Sequence, residues 1–314
     1  MKIVLHYSAG AQFAARLADL ADQGLSVVVC PEADRARFSA LMVDAEVIWH
    51  LLEPVTAATM QGAPRLRLIQ KIGVGVNTID LDAAQRRHIA VCNMPGTNSQ
   101  AVAEMTLLLM LGALRRVTHR DRATRAGSGW TLPPALQDGY GEIRGRTVGL
   151  VGYGAVPRCL APMLRAMGAK VVFTSRSPAP DAVGSARSLD ALLVESDIVS
   201  LHLPLVPDTQ QLIGAGALAR MKPGAILVNT ARGGLVDEAA LVVALRSGHI
   251  GAAGLDVFET EPAPATNPLF ELDNVVVSPH LAWLTRETLD RSLVIAVENC
   301  VRLARGSELL HRVV

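Results

Sequence analysis

Short apolar runs rich in Val, Ile and Leu alternate with longer amphipathic segments along almost the whole 314-residue chain. The strand-like runs are KIVLHY, SVVVC, EVIWHL, RLIQKI, TVGLVGY, KVVFTS, DIVSLHL, GAILVNT, GAAGLDVF and NVVVSPH. Strands that alternate with helices pair in parallel, because each helix carries the chain back across the sheet. The alternation therefore predicts an α/β fold with two doubly wound parallel-sheet lobes.

The turn-forming segment NMPGTNSQ, residues 93–100, separates the first group of strands from the second. A long helical pattern follows over roughly 100–124. Its predicted apolar face consists of Val102, Met105, Leu108, Leu109 and Gly112. We place the boundary between the lobes near residue 98. The apolar pattern of the last helix, in residues 285–314, fits either a cap on the second lobe or a return to the first.

Composition narrows the class of partner. Thirty basic and twenty-nine acidic residues give a net charge of +1, and the chain has no polybasic run. Nucleic acid and membrane surfaces are therefore not expected partners. A small-molecule ligand is expected instead. The chain has four scattered cysteines without a C-x-x-C pair: Cys30, Cys92, Cys159 and Cys300. This spacing predicts neither a metal site nor a disulfide framework, and it favours a cytoplasmic location. The longest apolar run, MTLLLMLGAL at 105–114, is too short to cross a bilayer.

The run TVGLVGY leads into a glycine-rich turn, GYGAVP, that opens a helix. Such a turn directs backbone N–H groups and the positive end of the helix dipole at one spot, where a pyrophosphate can bind. Gly152 permits the tight turn and Gly154 lets phosphates approach, whereas Pro157 replaces a third glycine that serves helix packing. A proline in the first helical turn breaks no helical hydrogen bond. The motif alone also fits a plain strand–turn–helix.

The next strand of that unit ends in Ser175, Arg176 and Ser177. An acidic side chain usually stands there when the cofactor has a free ribose 2′-hydroxyl. Two hydroxyls and a guanidinium suit a 2′-phosphate instead, so the segment favours NADPH over NADH. A solvated surface arginine is the alternative interpretation.

Three later stretches each follow a strand: NTARGGLVDE, GLDVFETEP and SPHLAW. Ligands bind at the carboxyl ends of parallel strands, so Arg232, Glu261 and His280 are expected to converge. Reduction of a 2-oxo acid needs a cation for the carboxylate, an acid that protonates the carbonyl oxygen, and a carboxylate that orients the acid. Arginine, histidine and glutamate are suited to these roles.

These stretches, in this order, resemble those of the D-isomer-specific 2-hydroxyacid dehydrogenase family, in particular its glyoxylate/hydroxypyruvate reductases. KIGVGVNTIDLDAA, NMPGTNSQAVAE and LHLPLVPDT also match, so the resemblance covers most of the chain. It implies a Rossmann cofactor domain in residues 99–284. It also implies a flavodoxin-like substrate domain in residues 1–98 plus 285–314, with an active-site cleft between the two domains. The family is usually dimeric through the cofactor domain.

The resemblance implies roles residue by residue. Arg232 binds carboxylate and carbonyl, His280 donates the proton, and Glu261 rather than Glu259 is its partner. Backbone N–H groups of Val74 and Gly75 hold the substrate carboxylate. The remaining implied cofactor contacts are Ala155 and Val156 at the pyrophosphate, Ser175, Arg176 and Ser177 at the ribose, Leu203, Pro204 and Thr209 near the adenine, and Ala231 and Asp256 near the nicotinamide.

We therefore expect an NADP(H)-preferring reductase, able to use NAD(H), that converts a small 2-oxo acid to the D-2-hydroxy acid. Glyoxylate and hydroxypyruvate are the favoured substrates. Two alternatives remain: a phosphoglycerate dehydrogenase-like enzyme, and a dinucleotide-sensing protein that recruits partners. Which acid is used depends on loops whose geometry the sequence does not give, and His50 and Trp283 are candidates for substrate contact.

Overall fold

The computed structural model describes residues 1–131, 134, 139–177 and 179–314. The chain divides into two compact units. Unit 1 comprises Met1–Asn98 and Thr285–Val314, and unit 2 comprises Ser99–Leu284. Each unit is built on one parallel β-sheet. The predicted α/β fold with two parallel-sheet lobes is therefore confirmed. No helix within the described ranges is both long and apolar enough to span a bilayer.

The sheet of unit 1 has five strands in the order β2-β1-β3-β4-β5. The strands are β1 Lys2–His6, β2 Ser26–Cys30, β3 Val47–His50, β4 Leu68–Lys71 and β5 Ala90–Cys92. The helices of unit 1 are α1 Ala11–Ala18, α2 Arg35–Met42, α3 Ala57–Gln61, α4 Leu81–Arg86 and α11 Arg286–Arg305. One face of the sheet packs Val4, Ile48 and Ile69 into a buried apolar cluster with side chains from α2, α3 and α4.

Helix α11 belongs to unit 1. Its Asn299 donates to Oε1 of Gln70 on β4 over 2.7 Å, and both side chains are fully buried. Arg291 donates through Nε to the carbonyl of Thr97 over 2.7 Å. These long-range polar contacts specify the position of the helix, which the apolar pattern of the sequence leaves open.

The sheet of unit 2 has seven strands in the order β12-β11-β10-β9-β6-β7-β8. The strands are β6 Thr147–Val151, β7 Lys170–Thr174, β8 Ser185–Ala186, β9 Ile198–Leu201, β10 Ala225–Asn229, β11 Ile250–Leu255 and β12 Val275–Val277. The described helices are α5 Ser99–Arg115, α6 Val117–Arg125, α7 Ala155–Ala166, α8 Leu189–Glu195, α9 Ala215–Arg220 and α10 Glu238–Arg246. The strand order reverses between β6 and β9, and ligands of such sheets bind at this reversal.

The helical pattern predicted over 100–124 forms two helices, because Arg116 adopts a left-handed conformation with φ of 47°. The predicted apolar face is wrong at one position. Leu108 is 59 % exposed, whereas Val102, Leu109 and Gly112 are buried. At about 100° per residue the buried stripe continues through Thr106 and Ala113, and it leaves Leu108 at its edge.

Candidate active site

The glycine turn connects β6 to α7 in unit 2. Gly152 has φ of 99°, and a Cβ atom there would lie 2.6 Å from the carbonyl oxygen of His202. Its N–H donates to Oγ1 of Thr174 over 3.1 Å. Gly154 caps the helix, and a Cβ atom on it would meet nothing within 4 Å. Only glycine fits the first position, whereas the second faces open space.

The start of α7 presents unused hydrogen-bond donors. The N–H groups of residues 153–156, which include Ala155 and Val156, donate to no other described residue. Pro157 is buried in the first helical turn, as predicted. The donors and the positive end of the helix dipole, beside the space at Gly154, fit a bound pyrophosphate. The turn therefore fits the dinucleotide that the sequence predicts.

The segment that follows β7 carries the predicted ribose contacts. Ser175 donates through Oγ to the carbonyl of Ser177 over 2.7 Å, which closes a short turn. Arg176 is exposed and makes no hydrogen bond or ion pair with another described residue. Its guanidinium is therefore available to an anionic ligand.

The loop after β9 lies against the glycine turn. A Cδ atom of Leu203 is 2.9 Å from the position that a Cβ atom on Gly152 would occupy. Thr209 donates through its hydroxyl to the carbonyl of Pro204 over 2.7 Å and accepts from the N–H of Val206 over 2.9 Å. Leu203, Pro204 and Thr209 thus belong to one braced loop next to the turn.

Arg232 follows β10, and a buried asparagine shapes the backbone around it. Asn229 donates through Nδ2 to the carbonyl of Arg232 over 2.8 Å and accepts from the N–H of Ala231 over 3.0 Å. The Arg232 guanidinium in turn donates to the carbonyl of Ala231 over 2.6 Å. Burial lowers the pKa of Arg232, and the nearby charge of Glu261 opposes that change. The guanidinium stays cationic near a carboxylate.

His280 and Glu261, which are nineteen positions apart in the chain, are in direct contact. Nδ1 of His280 lies 2.6 Å from Oε2 of Glu261. The other oxygen of Glu261 accepts from the N–H of Phe258 over 2.9 Å. Burial alone would raise the pKa of Glu261, but these hydrogen bonds and the charges of His280 and Arg232 lower it. Of the two candidate glutamates, the structure therefore brings Glu261, and not Glu259, to the histidine.

Asp256 supports the loop that carries His280. Its two carboxylate oxygens accept from the N–H groups of Leu281 and Ala282 over 2.9 and 3.0 Å. Its carbonyl accepts from the N–H of His280 over 2.7 Å. Burial raises the pKa of Asp256, and the N–H groups and the charge of His280 oppose that change. The carboxylate, predicted to lie near the nicotinamide, thus also bonds the backbone after His280.

In unit 1, residues 73–76 form the loop that contains Val74 and Gly75. The carbonyl of Gly73 accepts from the N–H of Met94 over 2.8 Å, and that of Val74 accepts from Asn93 over 2.9 Å. None of the four N–H groups of residues 73–76 donates to another described residue. The loop therefore leaves consecutive donors without an acceptor among the described residues, an arrangement that suits an anion.

Comparison with known proteins agrees with this geometry. Residues 107–282 match the NAD binding domain of the D-isomer specific 2-hydroxyacid dehydrogenase family. A glyoxylate reductase from Aeropyrum pernix is 43 % identical over 84 % of this chain and 81 % of its own length. The chain belongs to the D-isomer specific 2-hydroxyacid dehydrogenase family. It is therefore an oxidoreductase that acts on the CH–OH group of 2-hydroxy acids with a nicotinamide dinucleotide.

Two further proteins are similar to this dehydrogenase over most or all of its length. A D-3-phosphoglycerate dehydrogenase from Mycobacterium leprae is 41 % identical over 96 % of this chain. The match covers only 54 % of the length of that relative. The crystal structure of the TT0316 protein from Thermus thermophilus is similar over 100 % of both chains. Its sequence identity is 38 % and its TM-score is 0.91.

Sequence reasoning missed part of what organises this dehydrogenase. It did not single out Asn229, although a buried amide at the end of an apolar strand is a recognisable signal. Two residues that the sequence does predict, as candidates for substrate contact, are Trp283 and His50. Trp283 is buried and donates through its indole N–H to the carbonyl of His280 over 3.1 Å, so it braces the histidine loop. His50 is fully buried and hydrogen-bonded to Thr78 over 2.9 Å. Lys71, also missed, is buried beside the loop of residues 73–76.

Proposed function

We propose that this dehydrogenase is an NADPH-preferring reductase that converts small 2-oxo acids to D-2-hydroxy acids, with glyoxylate and hydroxypyruvate as the favoured substrates. The observation that carries the proposal is the 2.6 Å contact between His280 and Glu261, with the charge of Arg232 acting on the same carboxylate. A general acid, its orienting carboxylate and a cation are the groups that this reduction needs. The identity with a glyoxylate reductase supports the choice of substrate.

In the proposed mechanism, Arg232 binds the substrate carboxylate and polarises the carbonyl oxygen. Because Nδ1 of His280 faces Glu261, the opposite ring nitrogen, Nε2, is the one that donates a proton to that oxygen. Glu261 orients the ring and stabilises its positive charge before transfer. The residues around the glycine turn would hold NADPH, which would supply the hydride for C2. The N–H groups of Val74 and Gly75 hold the carboxylate. In oxidation, His280 accepts the proton instead.

The proposed cofactor contacts follow the same geometry. Gly152, Gly154 and the N–H groups of Ala155 and Val156 hold the pyrophosphate. Ser175, Arg176 and Ser177 bind the ribose 2′-phosphate, which the exposed guanidinium of Arg176, without a partner among the described residues, supports. The remaining proposed contacts are Leu203, Pro204 and Thr209 near the adenine, and Ala231 and Asp256 near the nicotinamide.

The proposed function is tested by initial rates with glyoxylate, hydroxypyruvate, pyruvate and phenylpyruvate, each with NADPH and with NADH. We expect the highest kcat/KM for glyoxylate or hydroxypyruvate with NADPH. Ser175→Asp should reverse the cofactor preference, because a carboxylate repels the 2′-phosphate and accepts from a 2′-hydroxyl. Ser185→Asp, on the short strand β8, is the matched control for an added charge. A wild-type preference for NADH would contradict the interpretation of residues 175–177.

A phosphoglycerate dehydrogenase-like activity is the second candidate. The 41 % identity over 96 % of this chain favours it. Oxidation of D-3-phosphoglycerate belongs in the same panel, and a kcat/KM above that for every 2-oxo acid would replace the first candidate. Tight NADPH binding without turnover of any acid would instead indicate a dinucleotide sensor.

We also propose a homodimer joined through unit 2 and a cytoplasmic location. Unit 2 exposes several large apolar side chains that support the first, among them Leu108, Val117, Trp130 and Val277. The four free cysteines support the second. Light scattering on purified protein measures the oligomeric state, and the mass of a monomer would contradict the dimer.

A further inference from the structure

Three strands of unit 1 end in a row of basic side chains. His6 on β1 is in register with His50 on β3, which is in register with Lys71 on β4. Residues in register on parallel strands project from the same face, so the three side chains line one side of the carboxyl edge. All three are buried, with exposed fractions of 6 %, 0 % and 8 %. Ligands of parallel sheets bind at the carboxyl ends of the strands, so buried basic groups there are candidates for a functional role.

The Lys71 side chain packs against the loop that follows its own strand. Its Cε atom lies 3.5 Å from the position that a Cβ atom on Gly73 would occupy. Its Nζ atom donates to the carbonyl of Leu51, in the segment that follows β3. Lys71 therefore joins the chain after β3 to the loop of residues 73–76.

The two histidines add little positive charge to this row. Burial, followed by the charges of Lys71 and His6, lowers the pKa of His50 to about 2. Burial also lowers the pKa of His6, against the opposing charges of Glu53 and Glu32. Both imidazoles are therefore neutral near pH 7, and Lys71 is the basic group of the row whose charge acts on its neighbours.

The loop above Lys71 presents the unused N–H groups of residues 73–76, while the carbonyls of Gly73 and Val74 are bonded elsewhere in unit 1. Consecutive N–H groups of this kind bind anions. A buried cation acts on such an anion through a medium of lower dielectric constant than water, and salt screens it less than a surface charge.

We infer that Lys71 is a positioning residue for substrate binding: it holds the loop of residues 73–76 and adds a buried positive charge that stabilises the substrate carboxylate there. The inference rests on the proposed function, since it takes that carboxylate as the ligand of the loop. It goes further, because it assigns part of the affinity for 2-oxo acids to a side chain beneath the loop.

The test compares Lys71→Met, which keeps the length of the side chain without its charge, with Lys71→Arg, which keeps the charge. Lys222→Met is the control, because Lys222 pairs with Asp197 in unit 2. For Lys71→Met we expect KM for glyoxylate and Kd for oxalate to rise about 10- to 100-fold, because the variant loses the buried charge and the hydrogen bond that holds the loop. The value of kcat and the Kd for NADPH should change less than about 3-fold. Lys71→Arg should recover most of the oxalate affinity.

The increase in oxalate Kd should persist at high salt because the charge is buried. An unchanged oxalate Kd in folded Lys71→Met overturns the inference. So does a parallel loss of kcat, oxalate affinity and NADPH affinity that Lys71→Arg fails to reverse, since that indicates a structural role alone. Turnover and oxalate binding test the two hypotheses separately. A wild-type enzyme that reduces no 2-oxo acid refutes the proposed function. Oxalate affinity that depends on Lys71 still supports the inference.

Discussion

His280 adopts a left-handed backbone conformation, with φ of 56°, that residues other than glycine occupy only occasionally. Such a conformation costs about 1–3 kcal/mol and persists only where surrounding contacts stabilise it. Asp256 provides them through its carbonyl and both carboxylate oxygens, and the Trp283 indole adds a further hydrogen bond. The strain therefore reflects a loop built to hold one imidazole against Glu261.

His280→Asn tests the proton-donor role. Asparagine tolerates a left-handed conformation, so the variant should fold, but its amide does not donate a proton to a carbonyl oxygen. We expect kcat to fall about 10²- to 10⁴-fold with a melting temperature close to wild type. His88→Asn is the matched control, because His88 is exposed and has φ of 55°. Near-normal turnover by folded His280→Asn would exclude the role.

Glu261→Gln and Glu259→Gln form a matched pair two positions apart. Only Glu261 bonds His280, so its replacement should lower kcat about 10- to 10³-fold because the ring loses its anionic partner. The Glu259 variant should stay within about 2-fold of wild type. Steady-state rates of glyoxylate reduction measure both, and equal losses would argue against a specific pair.

At the level of elements, the start of α7 shows why two neighbouring glycines differ. Gly152 is needed by the fold, since its φ of 99° and its closeness to the His202 carbonyl exclude a side chain. Gly154 is not needed by the fold, because the space beside it is open. Pro157 is accommodated because the first helical turn has no hydrogen bond for its nitrogen to break.

Gly152→Ala and Gly154→Ala should therefore separate stability from cofactor binding. The first should lower the free energy of unfolding by about 2 kcal/mol or more, because a strained backbone meets a carbonyl. The second should leave stability within about 0.5 kcal/mol and weaken NADPH at least 10-fold, because a methyl group occupies the phosphate space. Urea unfolding and fluorescence titration measure the two effects. Unaltered NADPH affinity in Gly154→Ala would place the pyrophosphate elsewhere.

At the level of the whole molecule, buried neutral histidines couple folding to pH. His50 is fully buried, and its pKa is lowered to about 2 from 6.5. The unfolded chain therefore binds a proton below pH 6.5 that the folded chain rejects. The contribution of His50 to stability is complete above that pH and is lost progressively as the pH falls towards 2, by about 1.4 kcal/mol per pH unit.

His50→Gln should reduce this acid sensitivity, because an amide can bond Thr78 without titrating. We expect the variant to be less stable than wild type at about pH 8 but to show a smaller loss between about pH 6.5 and pH 4.5. Urea unfolding at several pH values measures the slope, and His88→Asn serves as the exposed control. Identical slopes for His50→Gln and wild type would show that His50 is not the titrating group.

The sequence by itself determined the fold class, the glycine turn before α7 and the strand ends that carry Arg232, Glu261 and His280, because local patterns report backbone periodicity and turn chemistry. Tertiary structure decided which side chains meet. His280 contacts Glu261, and Asn299 joins α11 to unit 1. The long helix ends at Arg116, and Lys71 packs against the loop after its strand. These outcomes depend on packing between residues far apart in the chain, which no local pattern records.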